Sequence, residues 1–199
     1  MDLQNLLQNK KNNLKPTKTF LTNVAGEKFE ISGGVTTKLE VKVSPFVIDT
    51  KPNLQVDSIL PGLFLSSQDP IFCFDILKSY AIKHILSLGI EPDVKFDGIQ
   101  YHFIEILDIP EFNLITSLKD CLKIIHQFRK DNILVHCNAG VSRSPTVVIS
   151  YIMATEKLSY TEAFQKVKNI RTYIRPNTGF IQQLKALKPE DLSSNLVDN

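Results

Sequence analysis

Short apolar runs alternate along this chain with segments whose apolar residues recur at helical spacing. Buried strands are predicted near residues 56–60, 63–66, 83–88, 101–107 and 132–137. Helices are predicted near residues 69–81, 117–130, 144–157, 160–169 and 178–187. Strands that alternate with helices predict an α/β fold: a central, largely parallel, twisted sheet of about five strands, flanked by helices. In such a fold we expect the functional site at the carboxyl ends of the strands.

The length of the chain fits one core domain with an extension. The 199 residues are 43% hydrophobic and 22% charged, which is enough for one core and short for two. We predict an N-terminal extension over residues 1–53, one folded domain over 54–190 and a C-terminal tail over 191–199. Within the extension, leucines at roughly helical spacing and a Gly33-Gly34 break are consistent with two alternatives. One is a short amphipathic helix that docks on the domain or on a partner, and the other is a partly ordered tail.

The charge and the apolar stretches of the chain limit which partners and which cellular location we expect. The net charge is +2, and the basic residues form no long cluster, so we expect no nucleic-acid binding. No apolar stretch approaches the roughly 18 residues that cross a membrane, the N-terminus lacks the pattern of a signal peptide, and Met1-Asp2 excludes N-myristoylation. We expect a location in the cytoplasm, extending to the nucleus.

Three cysteines without an export signal favour reduced thiols over a disulfide framework. Cys73 and Cys121 lie in apolar periodic segments, where they are predicted core residues. A reversible disulfide with Cys137 under oxidation stays an open alternative. No cluster of His, Cys and Asp has metal-ligand spacing, so neither a metal nor another cofactor is predicted.

Cys137 and Arg143 lie six positions apart, between an apolar strand and a helix start. The residues between them must make a tight strand-to-helix turn, in which backbone N–H groups and the helix N-terminus can face an anion: Asn138, Ala139, Gly140, Val141 and Ser142. Gly140 gives this turn its backbone freedom. Arg143 offers a planar, charged fork for two phosphate oxygens. We predict a phosphate-binding loop in which Cys137 is a thiolate at neutral pH and acts as a nucleophile.

Two neighbours of the loop each have two interpretations. His136 either accepts a proton or orients the loop through hydrogen bonds, and a histidine at the end of a buried strand favours the second role. Ser144 either donates its hydroxyl to the sulfur of Cys137, which makes the sulfur a better leaving group, or caps the following helix. We include both among the candidate catalytic residues.

Phosphoryl transfer to a thiolate also needs a general acid for the leaving oxygen. Asp108 ends an apolar segment and begins a proline-bearing turn, and it is our candidate for this acid. An aspartate at such a position is often only a turn former, which is the alternative role. Glu105 and Glu111 are weaker candidates, and Glu111 is more simply a solvated loop charge.

The string from His136 to Ser144 resembles the phosphate loop of dual-specificity phosphatases, a branch of the cysteine-dependent protein tyrosine phosphatases. Asp108 matches the aspartate position of that family. The string Arg175-Pro176-Asn177-x-Gly-Phe-x-x-Gln-Leu is similar to the family segment that starts the last helix, where we expect Asn177 to cap the helix. The resemblance covers roughly residues 54–188. Within this family the chain resembles the atypical members, which have no kinase-docking domain.

The resemblance implies the cysteine-dependent phosphatase fold and hydrolysis of phosphotyrosine, phosphoserine and phosphothreonine through a phosphocysteine. It implies phosphorylated proteins as partners, a role in signal transduction and, by analogy alone, protein kinases of a MAP kinase cascade. The loop interior carries no positive charge besides Arg143, which favours a single phosphate over a highly phosphorylated inositol lipid. RNA and lipid phosphatases are therefore less favoured alternatives.

A phospho-binding adaptor with little turnover is the alternative from another class of protein. Such a binder needs the arginine and the loop amides but neither a nucleophile nor an acid. The presence of Cys137, Arg143 and Asp108 together argues against it.

Overall fold

The computed structural model describes residues 19–22, 28–39, 53–193 and 196. The chain divides into two compact units between Thr50 and Lys51. The domain boundaries predicted after residues 53 and 190 remain predictions. Within the described ranges, every helix is too short or too polar to traverse a lipid bilayer.

The first unit contains a three-stranded antiparallel sheet, made of β1 (Thr19–Thr22), β2 (Lys28–Ser32) and β3 (Val35–Leu39) in that order. Gly33 and Gly34 form the two-residue turn between β2 and β3, with φ values of +59° and +81° that suit glycine and the twist of a hairpin. From the sequence only a break is predicted here and the strands are not, although two β-rich segments around Gly-Gly are a hairpin signal. The alternative N-terminal helix falls on residues outside the described part of the chain.

The second unit is built on a five-stranded sheet in the order β4-β5-β8-β6-β7. Its strands are β4 (Val56–Leu60), β5 (Leu63–Ser66), β6 (His84–Leu88), β7 (Gln100–Ile104) and β8 (Ile133–His136). β5, β8, β6 and β7 pair in parallel, and only the β4–β5 pair at one edge is antiparallel. The predicted α/β fold with a largely parallel five-stranded sheet is confirmed.

Six α-helices follow or separate these strands in the described residues: α1 (Phe74–Ser79), α2 (Leu114–Phe128), α3 (Arg143–Glu156), α4 (Tyr160–Ile170), α5 (Thr178–Ala186) and α6 (Pro189–Ser193). The helix predicted over 69–81 is divided, because extended backbone at Cys73 separates a 3-10 turn from α1. Side-chain caps fix the first residues of two of these helices. Ser159 and Glu162 form a capping box for α4, and the Asn177 side chain caps α5.

The three inner strands β5, β6 and β8 are buried on both faces, which explains why most of their residues are apolar. Alternate residues face two separate hydrophobic clusters. Leu134 of β8 packs in the smaller cluster with Leu77 of α1, while Val135 packs in the larger one with helices α2 to α6. Every residue of α3 from 144 to 154 is buried, so this helix is the centre of the helical layer.

Candidate active site

The candidate loop runs from Cys137 to Ser142 and joins the end of β8 to the start of α3. β8 lies in the middle of the sheet between β5 and β6, and α3 is buried almost along its whole length. Both ends of the loop are therefore fixed by the core. The loop lies at the carboxyl ends of the parallel strands, where the sequence analysis expects the site.

Four carbonyl groups of this loop are directed away from its centre. Their oxygens accept hydrogen bonds from outside the loop: Asn138 from Gln68 N (3.0 Å), Gly140 from Arg171 Nε (2.9 Å), Val141 from Arg175 N (2.7 Å) and Ser142 from Thr146 N (3.0 Å). A peptide unit carries its N–H opposite its C=O, so the N–H groups of these units are directed to the concave side of the loop. That arrangement is a ready binding site for an anion.

Gly140 is the position in the loop that only glycine can occupy. Its φ is +66°, in the left-handed region that side chains disfavour. A Cβ atom there would lie 2.6 Å from Ser66 O and 2.5 Å from Arg171 Nη2. The close approach of β5 and of Arg171 to the loop is therefore possible only because glycine has no side chain.

Arg171 supports the loop from behind, through a buried ion pair that the sequence analysis misses. Its side chain is fully buried; Nε donates to Gly140 O, and Nη1 lies 2.6 Å from the carboxylate of Asp57 on β4. The guanidinium also stacks over the ring of Tyr173, with its carbon 4.5 Å from the ring centroid. A buried charge persists only when it is paired, so Asp57 and Arg171 depend on each other.

Cys137 lies at the floor of the loop with 2% of its surface exposed. The hydroxyl of Ser144 donates to its sulfur at 3.2 Å. Ser144 makes no cap contact, because the N-cap position of α3 belongs to Ser142. Of the two interpretations of Ser144, the geometry favours the contact with sulfur.

His136 is fully buried directly before Cys137. Its Nε2 lies 2.7 Å from Ser87 Oγ and its Nδ1 lies 3.4 Å from the carbonyl of Cys137. A neutral ring satisfies both contacts when Nδ1 carries the proton and Nε2 accepts from the serine. Burial lowers the pKa of His136 to about 4, the Cys137 carbonyl opposes this shift, and the charge of Arg143 adds to it. The orienting role therefore fits better than proton transfer.

Arg143 extends from the first residue of α3 across the site. Its Nη1 donates to Leu88 O at the end of β6 (3.2 Å), which fixes the plane of the guanidinium. Its Nε is buried and has no hydrogen-bond partner among the described residues; the nearest carboxylate oxygen, Asp108 Oδ2, lies 3.9 Å away. A bound phosphate oxygen would satisfy this unpaired donor.

Asp108 lies in the loop after β7, and its side chain is 37% exposed. Its Oδ1 accepts hydrogen bonds from Ser142 Oγ (2.7 Å) and Asn177 Nδ2 (2.8 Å), which place the carboxylate over the phosphate loop. Glu105 and Glu111 are exposed, and neither lines the cavity described next. Of the three carboxylates considered from sequence, only Asp108 is brought to Cys137.

These side chains surround one cavity of about 560 Å³. Its lining comprises one carboxylate, the candidate loop and the start of α5: Asp108, Cys137, Asn138, Ala139, Val141, Ser142, Arg143, Arg175, Pro176, Asn177 and Thr178. Arg175 is exposed at its mouth, and the sequence analysis, which counts charges only inside the loop, misses it. Two arginines, Arg143 and Arg175, therefore line the cavity. Gly140 is not in its lining, since its carbonyl and Cα face Arg171 and β5.

The other two cysteines are free thiols outside the cavity lining. Cys121 is fully buried in α2, and burial raises the pKa of its thiol far above the usual range, with the charge of Asp120 adding to the shift. Cys73 is partly exposed before α1. The predicted core position is confirmed for Cys121 and wrong for Cys73, because the extended backbone before α1 leaves Cys73 partly exposed and outside both hydrophobic clusters.

A nearly buried cysteine beneath inward-facing amides, a guanidinium with an unsatisfied donor and a carboxylate on the opposite side are the parts of a cysteine-dependent phosphatase. The comparisons with known proteins agree. The family described as dual specificity phosphatase, catalytic domain, matches residues 63–189.

The alignments with two relatives cover most of this chain. Mouse dual specificity protein phosphatase 19 is 35% identical over 185 residues, which cover 88% of this chain and 84% of the relative. A probable dual specificity protein phosphatase of Dictyostelium discoideum is 33% identical and covers 91% of this chain and 95% of its own length. The crystal structure of DUSP15 superposes with a TM-score of 0.66 at 32% identity, covering 71% of this chain and 94% of that one.

The chain belongs to the dual specificity phosphatase family. It is a protein phosphatase that acts on phosphotyrosine and on phosphoserine and phosphothreonine. A further structural neighbour is a human tyrosine phosphatase-like serine/threonine/tyrosine-interacting protein, with a TM-score of 0.61 at 33% identity, covering 65% of this chain and 93% of that one.

The support that Arg171 gives to the loop can be tested separately from its charge. Arg171→Met and Asp57→Asn each leave one buried charge unpaired and should lower the free energy of unfolding by about 3–5 kcal/mol. The double variant removes both charges, so it should regain most of that stability. It still lacks the donor to Gly140, and its affinity for inorganic phosphate as a competitive inhibitor should stay below that of wild type.

Urea unfolding and phosphate inhibition measure the two effects on the same preparations. A double variant with wild-type phosphate affinity would show that the Arg171 contact does not shape the loop.

Proposed function

We propose that Cys137 is the nucleophile, Arg143 the phosphate-binding residue and Asp108 the general acid and base of the phosphatase reaction. The observation that carries this proposal is their convergence on one cavity, from the end of β8, the start of α3 and the loop after β7. The loop from Asn138 to Arg143 supplies N–H groups for the phosphate oxygens. Ser144 and His136 complete the candidate set, one at the sulfur and the other behind the loop.

In the first step the thiolate of Cys137 attacks phosphorus, and the bond from phosphorus to the substrate oxygen breaks. Protonated Asp108 gives its proton to that oxygen, which leaves as a hydroxyl group. In the second step the Asp108 carboxylate takes a proton from water, whose oxygen attacks phosphorus while the S–P bond breaks. The hydroxyl of Ser144, 3.2 Å from the sulfur, stabilises the departing thiolate.

The two assignments predict different dependences on the leaving group. Cys137→Ser should abolish turnover of every phosphate monoester, because no thiolate attacks. Asp108→Asn should slow phosphotyrosine and phosphothreonine peptides by about 10²-fold or more, as expected on loss of a general acid, yet slow an activated aryl phosphate far less. Initial rates of phosphate release on the three substrates measure both effects.

Glu111→Gln is the matched control, since Glu111 lies near Asp108 in sequence and does not line the cavity. It should leave all three rates near those of wild type. Substantial turnover by Cys137→Ser would contradict the nucleophile assignment. An equal loss on all substrates for Asp108→Asn would assign Asp108 a structural role.

We propose protein kinases of a MAP kinase cascade as the physiological phosphoproteins, with family analogy as the support. We also propose a location in the cytoplasm that extends to the nucleus. Three free cysteines agree with a reducing compartment. Exclusive residence of a fluorescently tagged chain in a secretory organelle would contradict the location.

A substrate-retaining variant tests the choice of substrate. Asp108→Ala should bind phosphoproteins that it processes slowly, so affinity capture should enrich phosphorylated kinases of such a cascade. Vanadate is an anion of the same shape as phosphate, so it should compete for the phosphate loop and release them, and it serves as the control. Recovery of vanadate-sensitive phosphoproteins without any such kinase would contradict this substrate choice.

A further inference from the structure

Asn53 begins the described part of the second unit, and each of its four polar groups makes a hydrogen bond. Its backbone N–H donates to Asp69 Oδ2 (2.8 Å), and its carbonyl accepts from Ser67 Oγ (2.9 Å). Its side chain accepts from Gln55 N (3.1 Å) and donates through Nδ2 to the hydroxyl of Tyr173 (3.0 Å). Because Oδ1 accepts from Gln55, the amide nitrogen is the end that faces Tyr173. Asn53 is therefore held in one place and one orientation.

The bond to Tyr173 reaches the residue that supports the phosphate loop from behind. The guanidinium of Arg171 lies over the Tyr173 ring at 4.5 Å, and its Nε donates to Gly140 O at 2.9 Å. Its Nη2 is buried and has no hydrogen-bond partner among the described residues. The face of an aromatic ring attracts a guanidinium, so the Tyr173 ring compensates in part for that unpaired donor. The place of this ring therefore affects how Arg171 meets the loop.

The backbone of Asn53 is connected to the other side of the loop. It bonds to the two side chains on either side of Gln68, and the backbone N–H of Gln68 donates to Asn138 O (3.0 Å). Two of the outward-facing carbonyls of the loop, those of Asn138 and Gly140, are therefore one or two contacts away from Asn53. Neither Asn53 nor Tyr173 lines the cavity, so both act through other residues.

We infer that Asn53 is a positioning residue for the phosphate loop, whose side chain acts through Tyr173 and Arg171 on the carbonyl of Gly140. The direction of that carbonyl determines where the N–H groups of the loop point, so the property that Asn53 controls is affinity for phosphate. Proton transfer by Asp108 is not involved. The inference rests on the proposed role of the loop in binding phosphate.

Two substitutions remove the bond and leave the surrounding contacts in place. Asn53→Ser keeps an acceptor for Gln55 N–H, because serine makes the same kind of turn, but its side chain is too short to reach Tyr173. Tyr173→Phe removes only the hydroxyl and keeps the ring over Arg171. Each should raise the inhibition constant of inorganic phosphate, a competitive inhibitor, by about threefold, within the net contribution of one hydrogen bond. The value of kcat/KM should fall by the same factor on a phosphotyrosine peptide and on an activated aryl phosphate.

The double variant distinguishes one shared route from two independent effects. If the two residues act through the bond that joins them, Asn53→Ser in the Tyr173→Phe background should raise the inhibition constant no further, to about threefold in total rather than about ninefold. Tyr101→Phe is the matched control. The Tyr101 hydroxyl also accepts one hydrogen bond, from Phe96 N (2.9 Å), and Tyr101 lies outside the cavity lining. This variant should keep the wild-type inhibition constant.

The inhibition constant decides the question, because it does not depend on the amount of folded enzyme. If Asn53 served folding alone, Asn53→Ser would lower the yield of active protein and leave the constant unchanged, which would overturn the inference. Effects that multiply in the double variant, or an equal rise in Tyr101→Phe, would overturn it as well. Failure of the proposed function has a different signature, since phosphate would then not compete with substrate in the wild-type enzyme.

Discussion

The direction of four carbonyl groups in the loop after β8 is the constraint on which this active site depends. Cys137 is useful only as an anion, and a buried anion is costly unless dipoles and charges around it compensate. Bonding the carbonyls of the loop to outside partners directs its N–H groups inward, towards the sulfur and the phosphate. The Ser144 hydroxyl and the start of α3 add to this field. In the proposed mechanism the same arrangement stabilises both the Cys137 thiolate and the transferred phosphoryl group.

The segment from Arg171 to Gln183 joins the two halves of the site. Arg171 and the backbone of Arg175 bond to the phosphate loop, whereas Asn177 and Gln183 bond to the acid loop and its carboxylate. Cys137 and Asp108, the proposed nucleophile and acid, follow separate strands, so their spacing depends on this shared support. From the sequence we expect this segment only to start the last helix with Asn177 as its cap, and the contact of Asn177 with Asp108 enlarges that role.

The sequence predicts those parts of the fold and of the site whose pattern lies within one short segment of the chain. Apolar runs predict the strands, and the spacing of Cys137 and Arg143 between a strand and a helix predicts the loop. Contacts between distant positions leave no such signal, and the pair of Asp57 and Arg171, 114 positions apart, could be found only in three dimensions. Arg175 was not predicted as a site residue, because only the charges between Cys137 and Arg143 were considered. The assignment to protein phosphatases does not depend on that charge argument, since it rests on the family match. The hairpin around Gly33-Gly34 could have been predicted, because its pattern is local.

The most direct test is the alkylation of Cys137 by iodoacetamide at neutral pH, followed by mass spectrometry with Cys73 as the reference thiol in the same molecule. Iodoacetamide reacts with the thiolate, so the rate reports how far Cys137 is available as an anion. We predict that Cys137 reacts faster than Cys73 and that inorganic phosphate blocks its reaction. A Cys137 rate no higher than that of Cys73, or one that phosphate leaves unchanged, would contradict the anion-stabilising role of the loop.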